Sequence, residues 1–134
     1  MITADVEVLR SLCREWQERL GLLHWDVKLF IVRHYDFPPN RMGNCYWTMS
    51  ILTATIRILH PQDYDPAVDE DADMEQILVH ELLHLHFAPY DRTSSADKNE
   101  IASEGIAQEQ TIELLSKALV SLKRGVAHGS IPGV

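Results

Sequence analysis

The sequence predicts a single α+β domain with an N-terminal helix, a small and mostly antiparallel three-stranded sheet, and two further helices. Apolar residues recur at helical spacing near both ends of the chain. β-Branched and aromatic residues concentrate between them. The 134 residues suffice for one modest core. We therefore predict one domain at residues 1–124 and a flexible tail at residues 125–134.

The first part of the chain is predicted to form a helix followed by a strand. Apolar side chains recur through residues 6–20, and Gly21 is well placed to end that helix. Residues 25–32 have the composition of a strand, which the turn-rich segment 36–40 closes.

The segment 45–59 is predicted to form two strands with a turn near residues 51–54, because it is rich in aromatic and β-branched residues. Ala54, Ile56 and Ile58 alternate with the residues between them. Such alternation is expected of a strand with one buried face.

An acidic stretch at residues 63–73 is typical of a helix start. It lacks the turn glycine and the closing glutamate of a calcium-binding EF-hand loop. Asp73 and Gln76 have capping-box spacing, and acidic groups favour a helix N-terminus. The predicted helix covers residues 74–88 and ends near Pro89.

The last helix is predicted over residues 99–124, after a polar loop at residues 90–98. Its apolar positions fall close to one stripe, which is expected to pack on the rest of the domain. The stripe consists of Ile101, Gly105, Ile112, Leu115, Leu119 and Leu122.

Charge and cysteine content restrict the class of function. The net charge of −8 argues against unaided binding to nucleic acid or to an anionic membrane surface. No apolar run approaches the roughly 20 residues that span a bilayer, and the N-terminus does not resemble an export signal. Cys13 and Cys45 form no CxxC pair. We therefore predict a cytoplasmic protein with two reduced thiols and no nucleic-acid or membrane partner.

The motif HELLH at residues 80–84 predicts a metal site on the second helix. Residues four apart on a helix face the same way, so the imidazoles of His80 and His84 can bind one ion. Glu81 is turned to the side, near enough to a metal-bound water to take its proton. Two ligands and a general base in this order are typical of zinc peptidases, so Zn²⁺ is the predicted cofactor.

A catalytic zinc ion usually has three protein ligands, so the third must come from another segment. Glu109 is favoured because it lies beside the apolar stripe of the last helix and can point at a facing helix. Glu113, one turn later, is a candidate for the group that orients a ligand histidine. Glu104 flanks the stripe on its other side and is an alternative ligand, whereas Glu100 lies further round.

Two other histidines are poorer candidates for the third ligand. His86 follows His84 by two residues, and residues two apart on a helix face away from each other. His128 lies in the predicted tail. The chain also lacks the HExxHxxGxxH pattern of metzincins. The predicted ligand set is therefore His80, His84 and Glu109.

The HELLH motif, followed by Glu109 and the helical apolar positions up to Leu119, resembles the small gluzincin-type metallopeptidases. It is similar to the compact phage and mobile-element metallopeptidase-like proteins, including the ImmA/IrrE type that cleaves phage-repressor-like regulators. The resemblance covers residues 25–122 and implies a minimal zincin-like domain. It also implies that an edge strand just before the motif, here residues 53–59, holds the substrate backbone.

The resemblance implies a zinc-dependent peptidase that acts on a protein or peptide, with a regulatory protein among the options. In such a mechanism Glu81 takes a proton from the zinc-activated water and passes it to the leaving amine. Tyr46, His60, Tyr90 and Arg92 are candidates to stabilise the carbonyl oxygen, and the sequence does not choose among them. The alternative is a catalytically inactive zincin-fold binding module with structural zinc or none.

Overall fold

The computed structural model describes residues 5–67, 72–90 and 98–125, with side chains in the last range from residue 105 onward. The architecture in these ranges is α+β, as the sequence predicts, and the helices and strands follow the predicted order. Their bounds are α1 Val6–Arg19, β1 Asp26–Val32, β2 Gly43–Thr48, β3 Thr53–Leu59, α2 Met74–Phe87 and α3 Lys98–Arg124.

The sheet has the strand order β1–β3–β2 and is mixed. β3 pairs in parallel with β1, which aligns Leu29 with Ile56, and antiparallel with β2, which aligns Cys45 with Ile56. The prediction of a mostly antiparallel sheet was therefore wrong for one of the two strand pairs. Residues 33–42 carry the chain from β1 to the far edge before it returns as a hairpin. The alternation of buried residues contains no information about that route.

β3 is the central strand, so residues 53–59 are not the edge strand that the family resemblance implies. Ala54, Ile56 and Ile58 are buried, which confirms the predicted alternation. Since both sides of β3 are paired, an additional strand can meet this sheet at β1 or β2 only.

The core lies between one face of the sheet and the helices. One cluster of buried side chains joins α1, the sheet and α2, and it includes Trp16 and Trp25. In α2, Leu78, Val79 and Leu82 are fully buried. The helix that carries the HELLH motif is therefore fixed by its apolar residues, which sets the direction of the polar ones.

Two predicted helix boundaries are confirmed by their capping geometry. Gly21 follows α1 with a φ of +71°, a conformation that glycine adopts readily. Asp73 caps α2 by accepting hydrogen bonds from the backbone N–H groups of Glu75 and Gln76. The reciprocal half of the capping box is not formed, because the Gln76 side chain donates to Glu113 instead.

Asp63, at the start of the acidic stretch, takes no part in the helix start. Its carboxylate accepts hydrogen bonds from Arg33 Nε at 2.7 Å and from the His34 backbone N–H at 2.9 Å. The Arg33 guanidinium is the main reason why the pKa of Asp63 lies well below its ordinary value. This contact joins the 3-10 turn after β1 to the 3-10 turn after β3.

α3 packs on α2 with a face that differs from the predicted stripe. Ile112 is buried and Leu119 is partly buried, but Leu115 and Leu122 are 42% and 69% exposed. The prediction was wrong for these two leucines because apolar spacing does not show which part of a wide apolar face meets its neighbour. The buried positions of the described part of α3 are Ile112, Ser116 and Val120.

The structure bears in part on the predicted environment of the chain. No helix among the described residues is long and apolar enough to cross a membrane. Cys13 and Cys45 are free thiols, and burial raises the pKa of Cys13 to about 11. The predicted tail, apart from Gly125, and most of the predicted loop before α3 lie outside the described residues.

Candidate metal centre

The predicted ligands converge at the contact between α2 and α3. Glu109 Oε2 is 3.0 Å from His80 Nε2, and Glu109 Oε1 is 2.8 Å from His84 Nε2. One potential ligand atom of each residue lies within 4.8 Å of the others. The structure thus brings together two imidazole nitrogens from α2 and one carboxylate from α3.

This donor set fits a zinc ion. Tetrahedral ligands held about 2 Å from zinc lie about 3.3 Å from one another. The contacts of 2.8 and 3.0 Å use different oxygens of Glu109, and one ligand atom from each residue lies within 4.8 Å of the others, so small side-chain movements would bring the three atoms to that spacing. Burial lowers the pKa of His84, which favours the neutral imidazole that binds metals.

Glu113 lies one turn beyond Glu109, where it meets the other nitrogen of His80. Its Oε2 is 3.6 Å from His80 Nδ1. Its Oε1 accepts a hydrogen bond of 3.1 Å from Gln76 Nε2. Metal-binding histidines usually direct their second nitrogen at a carboxylate or carbonyl, which fixes the orientation of the ring. The position of Glu113 therefore suits a group that orients the His80 ring.

Glu81 is nearly buried beside the ligands, with 7% of its surface exposed. Burial is the main cause that raises its pKa to about 8, and the negative charge of Glu109 adds to the effect. The positive charge of Arg41 opposes this rise. A carboxyl group whose pKa lies near neutrality is suited to taking and returning a proton.

Gly43 allows β2 to approach Glu81 closely. A Cβ atom at this position would lie 2.8 Å from Ile77 Cγ2 and 3.0 Å from Glu81 Oε2. Both distances are shorter than an ordinary contact, so a side chain would displace β2 or Glu81. The absence of a Cβ is therefore a condition for the present position of the Glu81 carboxyl group.

A groove of about 610 Å³ lies between β2, α2 and α3, and the predicted metal ligands and Glu81 contribute to its lining. Among the described residues β2 is an edge strand of the sheet, and its residues 43–47 line this groove. Leu59 N donates to Met42 O at 2.8 Å, and hydrogen-bonded pairs alternate in an antiparallel ladder. The backbone groups of Gly43, Cys45 and Trp47 therefore point away from β3, and these residues line the groove.

Tyr46, one of the residues predicted as candidates to stabilise the carbonyl oxygen, lines the groove. Its hydroxyl oxygen accepts a hydrogen bond of 3.2 Å from Asn44 Nδ2. His60 does not line the groove, and its side chain caps the 3-10 turn that follows it. Tyr90 does not line the groove either, and 76% of its surface is exposed. Arg92 lies outside the described residues.

Arg41 is a groove residue that the sequence analysis missed. It precedes β2, lines the groove and acts electrostatically on Glu81. No motif marks it, because it follows a segment that reads only as a turn. In the sequence, Arg41 is merely a basic residue next to a strand, and such residues are too common to indicate a functional site.

Of the other ligand candidates, the structure describes the side chain of His86, which lies outside the group of His80, His84 and Glu109. His86 is exposed, in agreement with its predicted exclusion. The side chains of Glu100 and Glu104, and the whole of His128, lie outside the described part of the structure.

Comparison of the chain with protein-family models, curated proteins and solved structures found no match. The resemblance to gluzincins therefore rests on the sequence motif.

Proposed function

We propose that this protein is a zinc-dependent peptidase of the minimal gluzincin type with a zincin-like fold. One observation carries the proposal: His80 Nε2 and His84 Nε2 meet the carboxylate of Glu109 from another helix, beside the buried Glu81. Two imidazoles and one carboxylate are a donor set of catalytic zinc sites.

The groove residues have distinct roles in the proposed reaction. His80, His84 and Glu109 hold the ion, and Glu113 keeps the His80 ring in orientation. Zinc, when bound, supplies Lewis acidity that activates water and the scissile carbonyl group. Glu81 accepts a proton from the attacking water on its carboxylate and returns it to the leaving amine.

β2 provides the surface for the substrate backbone, a role that the family resemblance alone would have given to residues 53–59. An extended peptide laid in the groove pairs with the outward backbone groups of Gly43, Cys45 and Trp47. Backbone pairing requires an extended segment, so the proposed substrate is a peptide or an extended part of a protein, with a regulatory protein among the options. On the basis of the two free thiols we further propose a cytoplasmic location.

The variant Glu81→Gln tests the proposed reaction because it removes the proton acceptor and keeps the ligands. Cleavage of a fluorogenic library of extended peptides should fall by at least about 100-fold. Zinc content, measured by metal analysis, should not change. His86→Ala is the matched control on the exposed side of α2 and should retain both properties. Full cleavage by Glu81→Gln of a peptide that the wild type cleaves would refute the mechanism.

A zincin-fold binding module without turnover is the second candidate. The observation in its favour is that Glu109 contacts His80 Nε2 at 3.0 Å and His84 Nε2 at 2.8 Å, and such hydrogen bonds also serve a purely structural contact between α2 and α3. Thermal melts with zinc and with a chelator separate the peptidase from a module without zinc, because an occupied zinc site raises the melting temperature. A module with structural zinc would bind the ion and would cleave no peptide of the library. An unchanged melting temperature together with no bound metal would favour the module.

A further inference from the structure

We propose that a cluster of charged side chains at the far end of the α2–α3 contact fixes the register of α3 and so selects Glu109 as the third zinc ligand. We call the cluster of Asp73, Glu75, Lys123 and Arg124 the register clamp. The inference rests on the proposed zinc site and adds positioning residues that act on it from a distance.

Arg124 joins the last turn of α3 to the first turn of α2. Its Nη1 is 2.6 Å from Asp73 Oδ2, and its Nη2 is 3.0 Å from Glu75 Oε1. Asp73 is also the N-cap of α2, so its carboxylate is tied to the backbone of that helix. Side chains lean toward the N-terminus of a helix, which directs Arg124 back along α3 toward these carboxylates.

Lys123 connects all three helices. Its ammonium group contacts Glu75 on α2 and lies 2.9 Å from Glu15 on α1. Glu75 also accepts a hydrogen bond of 2.7 Å from Nε1 of the buried Trp16. The side chains of Glu75 and Lys123 are 11% and 19% exposed. Because its groups are ordered by buried neighbours, the clamp resists movement more than an exposed ion pair does.

The part of α3 between the clamp and the ligands offers few features that fix its register. The buried side chains there are those of Ile112, Ser116 and Val120, and Leu119 is partly buried. Among the described residues, the polar contacts between the helices in this interval are those of Glu113, with Gln76 Nε2 at 3.1 Å and with His80 Nδ1 at 3.6 Å.

The register decides which glutamate faces the histidines. Glu109 and Glu113 are four residues apart, so a slide of α3 by about 6 Å along its axis would bring Glu113 to the position of Glu109. Both residues present the same carboxylate, and zinc chemistry alone does not distinguish them. Glu109 also lies about 22 Å along α3 from Arg124, so the clamp cannot act on the ion directly.

Zinc affinity should therefore depend on the clamp, but only through Glu109. His80 and His84 belong to one helix and keep their spacing whatever α3 does. When the clamp is weakened, fewer molecules hold Glu109 in place, and the apparent dissociation constant for zinc rises in proportion.

A double-mutant cycle tests the inference. Zinc affinity is measured by competition with a chromophoric chelator for the wild type, Lys123→Gln/Arg124→Gln, Glu109→Ala and the triple variant. We expect the clamp substitutions to raise the dissociation constant roughly fivefold or more when Glu109 is present. In the Glu109→Ala background they should have no effect. Arg33→Gln, which breaks the ion pair with Asp63, is the control for general destabilisation and should leave zinc affinity unchanged.

The outcomes are distinguishable. An equal loss in both backgrounds, or no loss in either, would overturn the clamp and leave the zinc site intact. No zinc binding by the wild type would refute the proposed function and the clamp together. Lys123→Arg keeps the positive charge, so this variant should bind zinc as tightly as the wild type. Arg124→Gln alone gives a milder variant if circular dichroism shows that the double substitution prevents folding.

Discussion

The two ends of the α2–α3 contact are both built from ionisable side chains, but they differ in charge balance. At the clamp end, Lys123 and Arg124 meet Asp73 and Glu75, so cations and anions are matched. At the ligand end, Glu109 meets two histidines, and burial favours the neutral form of His84.

The same difference affects the carboxyl groups. Burial opposes the ionisation of Glu75, but hydrogen bonds from Lys123 and Trp16 still lower its pKa. Burial raises the pKa of Glu81 to about 8. The clamp end of the helix pair therefore supplies stability. At the ligand end, the carboxylate and imidazole groups are not balanced by positive charge, and a bound cation would supply it.

The largest expected effect is at the ligand end. His84→Ala removes a proposed zinc ligand, and loss of a group that merely orients a ligand already costs about 10- to 100-fold in metal affinity. Zinc affinity should therefore fall by more than about 100-fold, measured by chelator competition. His86→Ala, two residues along the same helix, should bind zinc like the wild type.

The stability of the metal-free protein should show the opposite ranking. Glu75→Ala leaves Trp16 Nε1 and Lys123 without their buried partner and should lower the free energy of unfolding by about 2–3 kcal/mol. Glu109 is 55% exposed, so Glu109→Ala should cost less than about 1 kcal/mol. Urea denaturation measures both. Equal losses would remove the distinction between the two ends.

Gly43→Ala is expected to act on the ligand end through Glu81. The added methyl group would lie 2.8 Å from Ile77 Cγ2 and 3.0 Å from Glu81 Oε2. Such overpacking costs about 1–3 kcal/mol. Cleavage should fall by about tenfold or more with little change in zinc content, since moving a catalytic group reduces the rate steeply. Unchanged cleavage would show that the close approach of β2 is not needed.

The smallest effect is a dependence of the clamp on pH. The pKa values of Asp73 and Glu75 are lowered in the folded protein, so their contribution is complete above the ordinary value of 4.5 for Glu75 and is lost as the pH falls. The stability difference between the wild type and Lys123→Gln/Arg124→Gln should shrink by roughly half or more between pH 7 and pH 3.5. Urea melts at the two pH values measure it. A constant difference would mean that ionised carboxylates do not contribute to the clamp.

Much of the fold could be predicted because local signals determine it. Periodicity located the helices and strands, and Asp73 marked the start of α2. Strand order could not be predicted, since alternation shows which face is buried and not which strand is the neighbour. The exposure of Leu115 and Leu122 was missed for a similar reason: an apolar face wider than its partner remains partly uncovered.

The candidate site was predictable where its members are close in sequence. His80, Glu81 and His84 have a fixed relation on any helix. The position of Glu109 depends on the packing of a second helix, and the sequence allowed Glu104 as an alternative. Gly43 and Arg41 reach the site through the hairpin, so only the three-dimensional arrangement reveals them.

The central position of β3 has a consequence for the order of folding. β2 and β3 are joined by a short turn, and such hairpins form within about 1–10 μs. β1 must find β3 across a much longer loop, because Asp26 aligns with Thr53, and non-local pairing of this kind is slow. The strand that borders the metal centre therefore belongs to the more local part of the sheet, and the pairing expected to form late lies at the opposite edge.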